Sequence, residues 1–307
     1  MTSTVVDEFA TGFQRTIICL HPDGTYQWER SAGPDRPAPL SAPSLATRQA
    51  LEPVRTPAVS LRIPEASPHA LTYIAPGPQS VARLLQSRLL PLQARSLAEL
   101  LRDTGALLRR LHAHAPADAA AHPAPTGVTR LARWMENGTG PRAAALLHAE
   151  MLQWLGEHRW SRVLAWCRTT TRLSPHDVLL HGAASIGSLL PGTTPGEAVL
   201  LTGEDVTRGP ATFDVGWLLG EFLELRMLAA QRQAEMPWLH DLPAALLSGY
   251  GRELDPQELG RFAVLRIMTH AHDFAAYMGW HSELAVHTST LPRYIDTEGR
   301  AALDGTA

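Results

Sequence analysis

Two short apolar runs late in the sequence are each followed by polar residues that can do chemistry. Val178–Leu180 precedes His181, and Ala198–Leu201 precedes a turn that carries Glu204 and Asp205. Apolar runs of this length, bounded by turn formers, predict buried strands. Adjacent carboxylates are the oxygen ligands that a hard cation such as Mg²⁺ prefers. The sequence therefore predicts a polar site where these two strands end.

The elements that must position this site are strands first and helices later. Residues 14–30 alternate around His-Pro-Asp-Gly, which predicts a hairpin, and residues 70–74 form another apolar run closed by Ala-Pro-Gly. Ser44–Glu52 is typical of a short helix that ends before a proline. Leucines at three- and four-residue spacing over residues 97–111 indicate an amphipathic helix. Further helices are predicted over residues 127–136, 142–156, 158–171, 212–233, 239–252 and 256–278.

This order of elements predicts an α+β protein with two lobes. Residues 1–77 form the β-rich N-terminal lobe and residues 78–307 the mainly helical C-terminal lobe, with the boundary near residues 76–79. A chain of 307 residues is long enough to build both.

Composition narrows the class of protein. A formal net charge of −3 with 19% charged residues gives no reason to expect nucleic acid as a partner. The N-terminus lacks a basic start followed by an apolar run, and no apolar stretch is long enough to span a bilayer, so we expect a cytoplasmic protein without a membrane partner. Cys19 and Cys167 are the only cysteines, and we expect two reduced thiols rather than a disulfide or a cysteine zinc site.

Two segments around the predicted strands resemble the aminoglycoside phosphotransferase and choline kinase-like family. Residues 178–190 resemble the family's catalytic loop, which runs Val-His-Gly-Asp, a few variable residues and Asn. Residues 200–219 resemble its second motif, Ile-Asp-Trp-Glu followed by Gly-Pro and Phe-Asp. The resemblance implies a protein-kinase-like fold with a small β-rich lobe and a large helical lobe. The matching residues are His181, Gly182, Glu204, Gly209, Pro210, Phe213 and Asp214.

Four groups that the resemblance implies for catalysis are missing from their places. Ala183 stands at the position of the catalytic aspartate, Ser188 at that of the metal-binding asparagine and Thr202 at that of the metal-binding aspartate. The chain has no lysine at all, so Glu29 or Arg30 occupies the region of the ATP-binding lysine. Phosphoryl transfer depends on metal ions held by carboxylates and on a positioned aspartate, which alanine cannot replace.

These losses favour a degenerate phosphotransferase, or pseudokinase, that needs no cofactor and serves as a binding or scaffold subunit. The resemblance implies a peptide or protein partner, in a complex with a catalytic subunit of a bacterial natural-product pathway that modifies peptides. The alternative is an active, divergent phosphotransferase that uses ATP and Mg²⁺ on a Ser/Thr hydroxyl of a peptide or on a small molecule. A third hypothesis is sequestration of a cationic antibiotic.

The candidate site residues follow from these hypotheses. The degenerate loop supplies His181, Gly182, Ala183 and Ser188, for which a structural role is the first expectation. Residues 201–260 carry ten acidic residues and four arginines, which predicts an acidic surface for a cationic ligand. The residues proposed to bind a substrate or partner are Glu204, Asp205, Asp214 and Glu221, and Glu204 with Asp205 would hold the metal only under the alternative.

Two further groups are weaker candidates for a metal. Asp177 lies just before the first strand. His270, His272 and Asp273 lie close together in sequence, but on a helix His270 and Asp273 share a face while His272 points elsewhere. No third ligand can be assigned from the sequence, so the expectation for this group is that it binds no metal.

Overall fold

A five-stranded antiparallel sheet forms from the first part of the chain, in the order β1-β2-β3-β6-β5. The structure is a computed structural model that describes residues 3–36, 38–86, 94–114, 124–172, 174–192 and 197–304. The predicted hairpin is confirmed, since β2 and β3 pair in antiparallel register from Gln14 with Ala32 to Leu20 with Tyr26. The strands and helix of this part are β1 (Thr4–Ala10), β2 (Gln14–Leu20), β3 (Tyr26–Ala32), α1 (Leu45–Leu51), β4 (Val59–Arg62), β5 (Glu65–Ala66) and β6 (Ala70–Ala75).

Helices dominate the rest of the described chain. They are α2 (Val81–Gln86), α3 (Ala94–Leu111), α4 (Thr126–Asn137), α5 (Ala144–Thr170), α6 (Thr212–Gln231), α7 (Asp241–Tyr250), α8 (Pro256–Tyr277) and α9 (Leu284–Asp296), with short 3₁₀ turns at Pro237–His240 and Arg300–Leu303. The two predicted helices over residues 142–171 are one element interrupted at Gly156, whose backbone has φ 70°. In the described ranges, no helix has the length and apolarity that a membrane crossing requires.

Four short strands interrupt the helices, and they build the predicted site. They are β7 (Val178–Leu180), β8 (Leu189–Leu190), β9 (Ala198–Leu201) and β10 (Thr207–Gly209). β7 pairs with β10, while β9 lies between β8 and β4. The β4–β9 pairing is parallel, with Arg62 opposite Leu201, 139 positions later in the chain. Such a pairing forms only through tertiary folding. The first lobe thus contributes a strand to the sheet that carries the site.

Helix α6 lies at the centre of the helical part. Every residue from Thr212 to Glu224 is buried, which explains why this helix is apolar on all faces. Two glycines one turn apart let α6 approach α8, because a Cβ at Gly216 would meet the Leu259 carbonyl oxygen at 2.8 Å and one at Gly220 the Ala263 oxygen at 2.7 Å. Polar side chains on α6 are therefore held in a tightly packed surrounding.

Candidate functional site

The loop after β7 is shaped by His181 and Gly182. The His181 ring is buried, and its Nε2 lies 3.0 Å from the carbonyl oxygen of Leu201, so it ties β7 to β9. Burial lowers the pKa of His181 below its usual range, although the nearby Asp214 carboxylate opposes this. Gly182 has φ +79°, and a Cβ there would lie 1.8 Å from the carbonyl oxygen of Asp205. Both residues have structural roles in this loop.

The Asp214 carboxylate binds the backbone of the same loop. Its Oδ2 accepts the backbone N–H of His181 at 2.7 Å, and its Oδ1 accepts that of Gly182 at 2.9 Å. His112 Nε2 lies 3.0 Å from Oδ2, and His112 Nδ1 lies 3.0 Å from the Tyr250 hydroxyl. Burial alone would raise the pKa of Asp214, but the hydrogen bonds and charge of its histidine neighbours lower it below the ordinary value.

All these contacts of Asp214 are internal, and its role toward a substrate or partner stays a prediction. Its side chain has no exposed surface, because α6 is buried on all sides at this turn. It does not cap the helix either, since α6 begins after Ala211 and Asp214 lies in the first turn. His112 is a supporting residue whose role sequence reasoning missed, and the only signal for it was its place at the end of the leucine-rich helix.

The three positions at which the resemblance implies catalytic or metal-binding groups are Ala183, Ser188 and Thr202. Ala183 is half-buried and presents only a methyl group. Ser188 accepts the Leu201 N–H on its backbone oxygen at 2.9 Å. The Thr202 hydroxyl is buried and donates to the carbonyl oxygen of Arg62 at 3.1 Å, next to the backbone bond between the same residues. None of these side chains places a carboxylate or amide oxygen in the site.

Glu204 and Asp205 bind different parts of the chain. Glu204 forms an ion pair with Arg36 and accepts the Ser41 N–H at 3.3 Å, whereas Asp205 accepts the Thr126 hydroxyl. Partial burial, with repulsion from Asp205, raises the pKa of Glu204 above its usual range even though Arg36 lowers it. These contacts hold two loops together, and the two carboxylates face different partners. In the described ranges, three potential metal ligands come together only elsewhere, on α6, α8 and α9.

Glu221 also supports the loop after β7, and its predicted role toward a substrate or partner stays a prediction. It is buried, and its carboxylate accepts the Ser185 hydroxyl at 2.9 Å and the Ile186 N–H at 2.7 Å. Its remaining partner is the buried guanidinium of Arg266, at 2.5 Å. The charge on α6 therefore fixes the degenerate loop, and less of the acidic excess reaches the surface than the sequence suggested.

Arg30 stands on β3, where the resemblance placed the ATP-binding lysine. Its guanidinium lies 5.5 Å from the Tyr73 ring centroid, and its Nε is buried without a hydrogen-bond partner. Tyr73 in turn donates its hydroxyl to the Thr202 carbonyl oxygen at 2.8 Å. A guanidinium is therefore present on the inner side of the sheet, facing the strand ends of the helical lobe.

Trp28 belongs to a hydrophobic cluster that joins the N-terminal sheet to β8 and β9. Its ring is 2% exposed, and its indole N–H donates to the Gly77 carbonyl oxygen at 3.0 Å, at the connection between the lobes. The members of the cluster are Ile18, Trp28, Leu71, Tyr73 and Ala75 from the N-terminal sheet and Leu190, Val199 and Leu201 from β8 and β9, with Tyr26, Leu40 and Ala42 packed against them.

The turn between β1 and β2 is attached to the helical lobe. The Phe13 ring lies 4.8 Å from the Tyr277 ring, and the guanidinium groups of Arg36 and Arg130 lie 4.3 and 5.1 Å from its centroid. The Gly12 N–H donates to the Tyr277 carbonyl oxygen at 2.8 Å. The β1–β2 turn is therefore held against α8 by a ring contact and a backbone hydrogen bond.

The weaker candidates for a metal are separated by the fold. Asp177 accepts the Ser174 N–H and pairs with Arg208 at 3.3 Å. Asp273 pairs with Arg130 at 2.6 Å and with His272 at 2.8 Å, whereas His270 pairs with Glu224 at 2.7 Å. The histidine that contacts Asp273 is thus His272 and not, as helix geometry led us to expect, His270.

The cysteines lie apart, as expected. Cys19 and Cys167 are free thiols, and burial raises the pKa of Cys167 to about 12. A thiol with so high a pKa is inert at neutral pH.

No model of a protein family matches the sequence, and no curated protein matches it significantly. Several solved structures do match the fold of this chain. An ethanolamine kinase from Plasmodium vivax superposes with a TM-score of 0.55 at 10% identity over 98% of this chain and 81% of its own. An AMP-bound spectinomycin phosphotransferase superposes with a TM-score of 0.52 at 9% identity over 97% of this chain and 92% of its own. The two-lobed geometry described above and these superpositions together show that the chain has the kinase-like fold of this ethanolamine kinase and this spectinomycin phosphotransferase.

Proposed function

We propose that this chain is a phosphotransferase-fold protein that acts by binding a peptide or protein partner and does not transfer phosphate. The observation that carries the proposal is the packing of the chain's own side chains between the two lobes, around Trp28 and Phe13. Trp28 takes up the space under the Gly77 connection, and Phe13 closes the β1–β2 turn onto Tyr277. A nucleotide would have to displace both.

The chemistry of the surrounding groups supports the same proposal. A kinase holds its metal ions with an aspartate and an asparagine and orients the attacking hydroxyl with a second aspartate. Ala183, Ser188 and Thr202 stand in these places, and the Thr202 hydroxyl is used in a bond to Arg62. Mg²⁺ takes carboxylate and phosphate oxygens, and a single neutral hydroxyl does not replace them.

The edge of the N-terminal sheet supports the choice of a peptide as partner. In the described part of the chain, β1 is an edge strand that pairs with β2 alone. Val5, Val6 and Phe9 on this strand are 59%, 44% and 43% exposed. An extended peptide can add to such an edge through main-chain hydrogen bonds and cover the apolar side chains. A peptide-modifying natural-product pathway in bacteria, with a catalytic subunit beside this one, is the setting we propose.

Calorimetric titration of the purified protein with ATP and Mg²⁺ tests the absence of nucleotide chemistry. We expect no binding heat at nucleotide concentrations in the hundreds of micromolar and no transfer of labelled γ-phosphate to added peptides. Micromolar binding that requires Mg²⁺ would instead support an active, divergent phosphotransferase. In that case Glu204→Gln and Asp205→Asn should abolish the metal dependence, because these are the nearest carboxylates.

Selection of peptides from a displayed library on the immobilised protein tests the partner. We expect extended, apolar sequences whose binding is lost in Val5→Arg, which puts a charge on the edge, and kept in Gln153→Arg, which puts the same charge at an exposed position on α5. Peptides that bind Val5→Arg and the unchanged protein equally would refute β1 as the docking site.

A further inference from the structure

Three helices of the C-terminal lobe bring two histidines and a glutamate together outside the interlobe cleft. Glu224 is on α6, His270 on α8 and His287 on α9. One ligand atom from each, a carboxylate oxygen and two ring nitrogens, lies within 4.8 Å of the others. Among the residues that the structure describes, no other group of three or more His, Cys, Asp or Glu side chains meets this distance.

Burial differs among the three side chains. Glu224 and His287 are 5% and 4% exposed, while the His270 side chain is 44% exposed. The buried pair is fixed by the packing of α6, α8 and α9, and His270 forms the border to solvent. A cation therefore has an open side by which to enter and a position where water can complete its coordination.

The hydrogen bonds within the group do not balance for neutral histidines. His287 Nδ1 faces the Glu283 carbonyl oxygen at 3.0 Å, and its Nε2 faces Glu224 Oε1 at 2.6 Å. Both partners are acceptors, whereas a neutral imidazole has only one N–H. His270 Nδ1 meets the same carboxylate oxygen at 2.7 Å. The group thus needs positive charge between the rings and the carboxylate, either as extra protons or as a metal ion.

The orientation of His287 matches that of a metal ligand. A ligating histidine usually donates its second ring N–H to a carbonyl or carboxylate, which fixes the ring and leaves the other nitrogen free for the metal. His287 has this partner in Glu283. The positive charge of the nearby Arg266 is compensated, because its guanidinium is paired with Glu221 at 2.5 Å. Arg266 therefore does not prevent a cation from binding here.

We propose that Glu224, His270 and His287 form a binding site for a transition-metal ion of the zinc class. Two imidazoles and one carboxylate, with a fourth position left to water, are a ligand set that Zn²⁺ takes in proteins. Ligand atoms around a tetrahedral zinc with bonds of about 2.0–2.1 Å lie roughly 3.3 Å apart. The nitrogen–oxygen separations of 2.6 and 2.7 Å therefore need to widen by less than about 1 Å to accept the ion.

Titration of chelator-treated protein with ZnCl₂, in competition with a chromophoric chelator at pH 7.5, tests the site. We expect one zinc per chain and a thermal melting temperature that rises with zinc. Glu224→Gln and His287→Gln should weaken zinc binding by roughly 100-fold, because loss of a residue that only supports a metal ligand already costs about 10- to 100-fold. His158→Gln, at an exposed histidine on α5, is the matched control and should bind as the unchanged protein does.

His270→Ala protects the test against a variant that fails to fold, because this histidine is half-exposed and its loss leaves the buried pair in place. It should melt as a folded protein and lose both the zinc binding and the zinc-dependent rise in melting temperature. Absence of stoichiometric zinc binding at tens of micromolar zinc would overturn the proposal, as would equal binding in His270→Ala. The positive charge between the rings and the carboxylate would then come from protonated histidine. Nucleotide enters no step of this experiment, so its result is independent of the scaffold proposal.

Discussion

At the scale of single residues, the matches to the kinase-like motifs are the groups that hold the loop. The backbone N–H groups of His181 and Gly182 both donate to the Asp214 carboxylate. This part of the site could be read from the sequence, because short motifs fix residue types at fixed spacing. The contacts of Glu204 and Asp205 could not be predicted from the sequence, because their partners Arg36 and Thr126 come close only through tertiary folding.

Replacement of Gly182 by alanine should destabilise the protein strongly. The φ of +79° alone costs an L-residue about 1–2 kcal/mol, and the new Cβ would also lie 1.8 Å from the Asp205 oxygen. We expect a loss of more than about 3 kcal/mol in the free energy of unfolding, measured with urea. Gly24→Ala is the control, because that glycine has φ +86° with no atom within 4 Å of a Cβ. Equal losses in the two variants would contradict the clash.

Asp214→Asn should cost about 3 kcal/mol near neutral pH, because an amide cannot accept both backbone N–H groups and leaves a buried donor unpaired. The pKa of Asp214 is lowered in the folded protein, so its contribution is full above the unfolded value of about 3.9 and is lost as the pH falls through the folded value. The difference between the two proteins should therefore stay constant above about pH 5 and shrink in acid. Urea melts across this range measure it, and a difference independent of pH would argue against an ionised Asp214.

At the scale of elements, local pattern predicted what is local. The hairpin of β2 and β3 followed from alternation around a turn, and the break in α5 lies at a glycine near the predicted gap. β4 was missed because its four residues pair in parallel with β9, far away in sequence. α9 was missed because Pro292 lies inside it and its composition is poor in strong helix formers, so packing rather than propensity forms this helix.

The segment between β3 and α1 is the element most open to a test. Arg36 pairs with Glu204, and Ser41 donates its N–H to the same carboxylate. Arg36→Ala should expose the Ser41 amide to faster hydrogen exchange, while the free energy of unfolding falls by only about 1–2 kcal/mol, because the pair is partly buried. Arg15→Ala, which removes an exposed pair with Glu8, should leave both quantities nearly unchanged. Slow exchange at Ser41 in Arg36→Ala would show that Leu40 and Ala42 hold the segment alone.

At the scale of the whole molecule, the N-terminal sheet and the strands β8 and β9 of the helical part are joined by one hydrophobic cluster. Trp28 is the largest side chain in this packing, and its N–H uses the Gly77 oxygen at the connection. No local pattern marks such a side chain, because one buried tryptophan on an alternating strand is ordinary core. This packing became visible only when β3, the Gly77 connection and β9 were seen together.

Trp28→Ala should open this packing without restoring a kinase. Removal of the ring costs about 3–5 kcal/mol, leaves a cavity between the sheets and frees the Gly77 oxygen as an acceptor. We expect adenosine to bind the variant weakly, with ATP binding no tighter in Mg²⁺, because Ser188 and Thr202 still offer the ion no carboxylate. Trp160→Ala, which makes a cavity of equal size in the helical lobe, is the control. Calorimetry that finds adenosine binding in both variants, or in neither, would refute the idea that Trp28 occupies the position of the nucleotide base. Adenosine binding in Trp28→Ala alone would show that the Trp28 packing and the missing metal ligands prevent nucleotide binding independently.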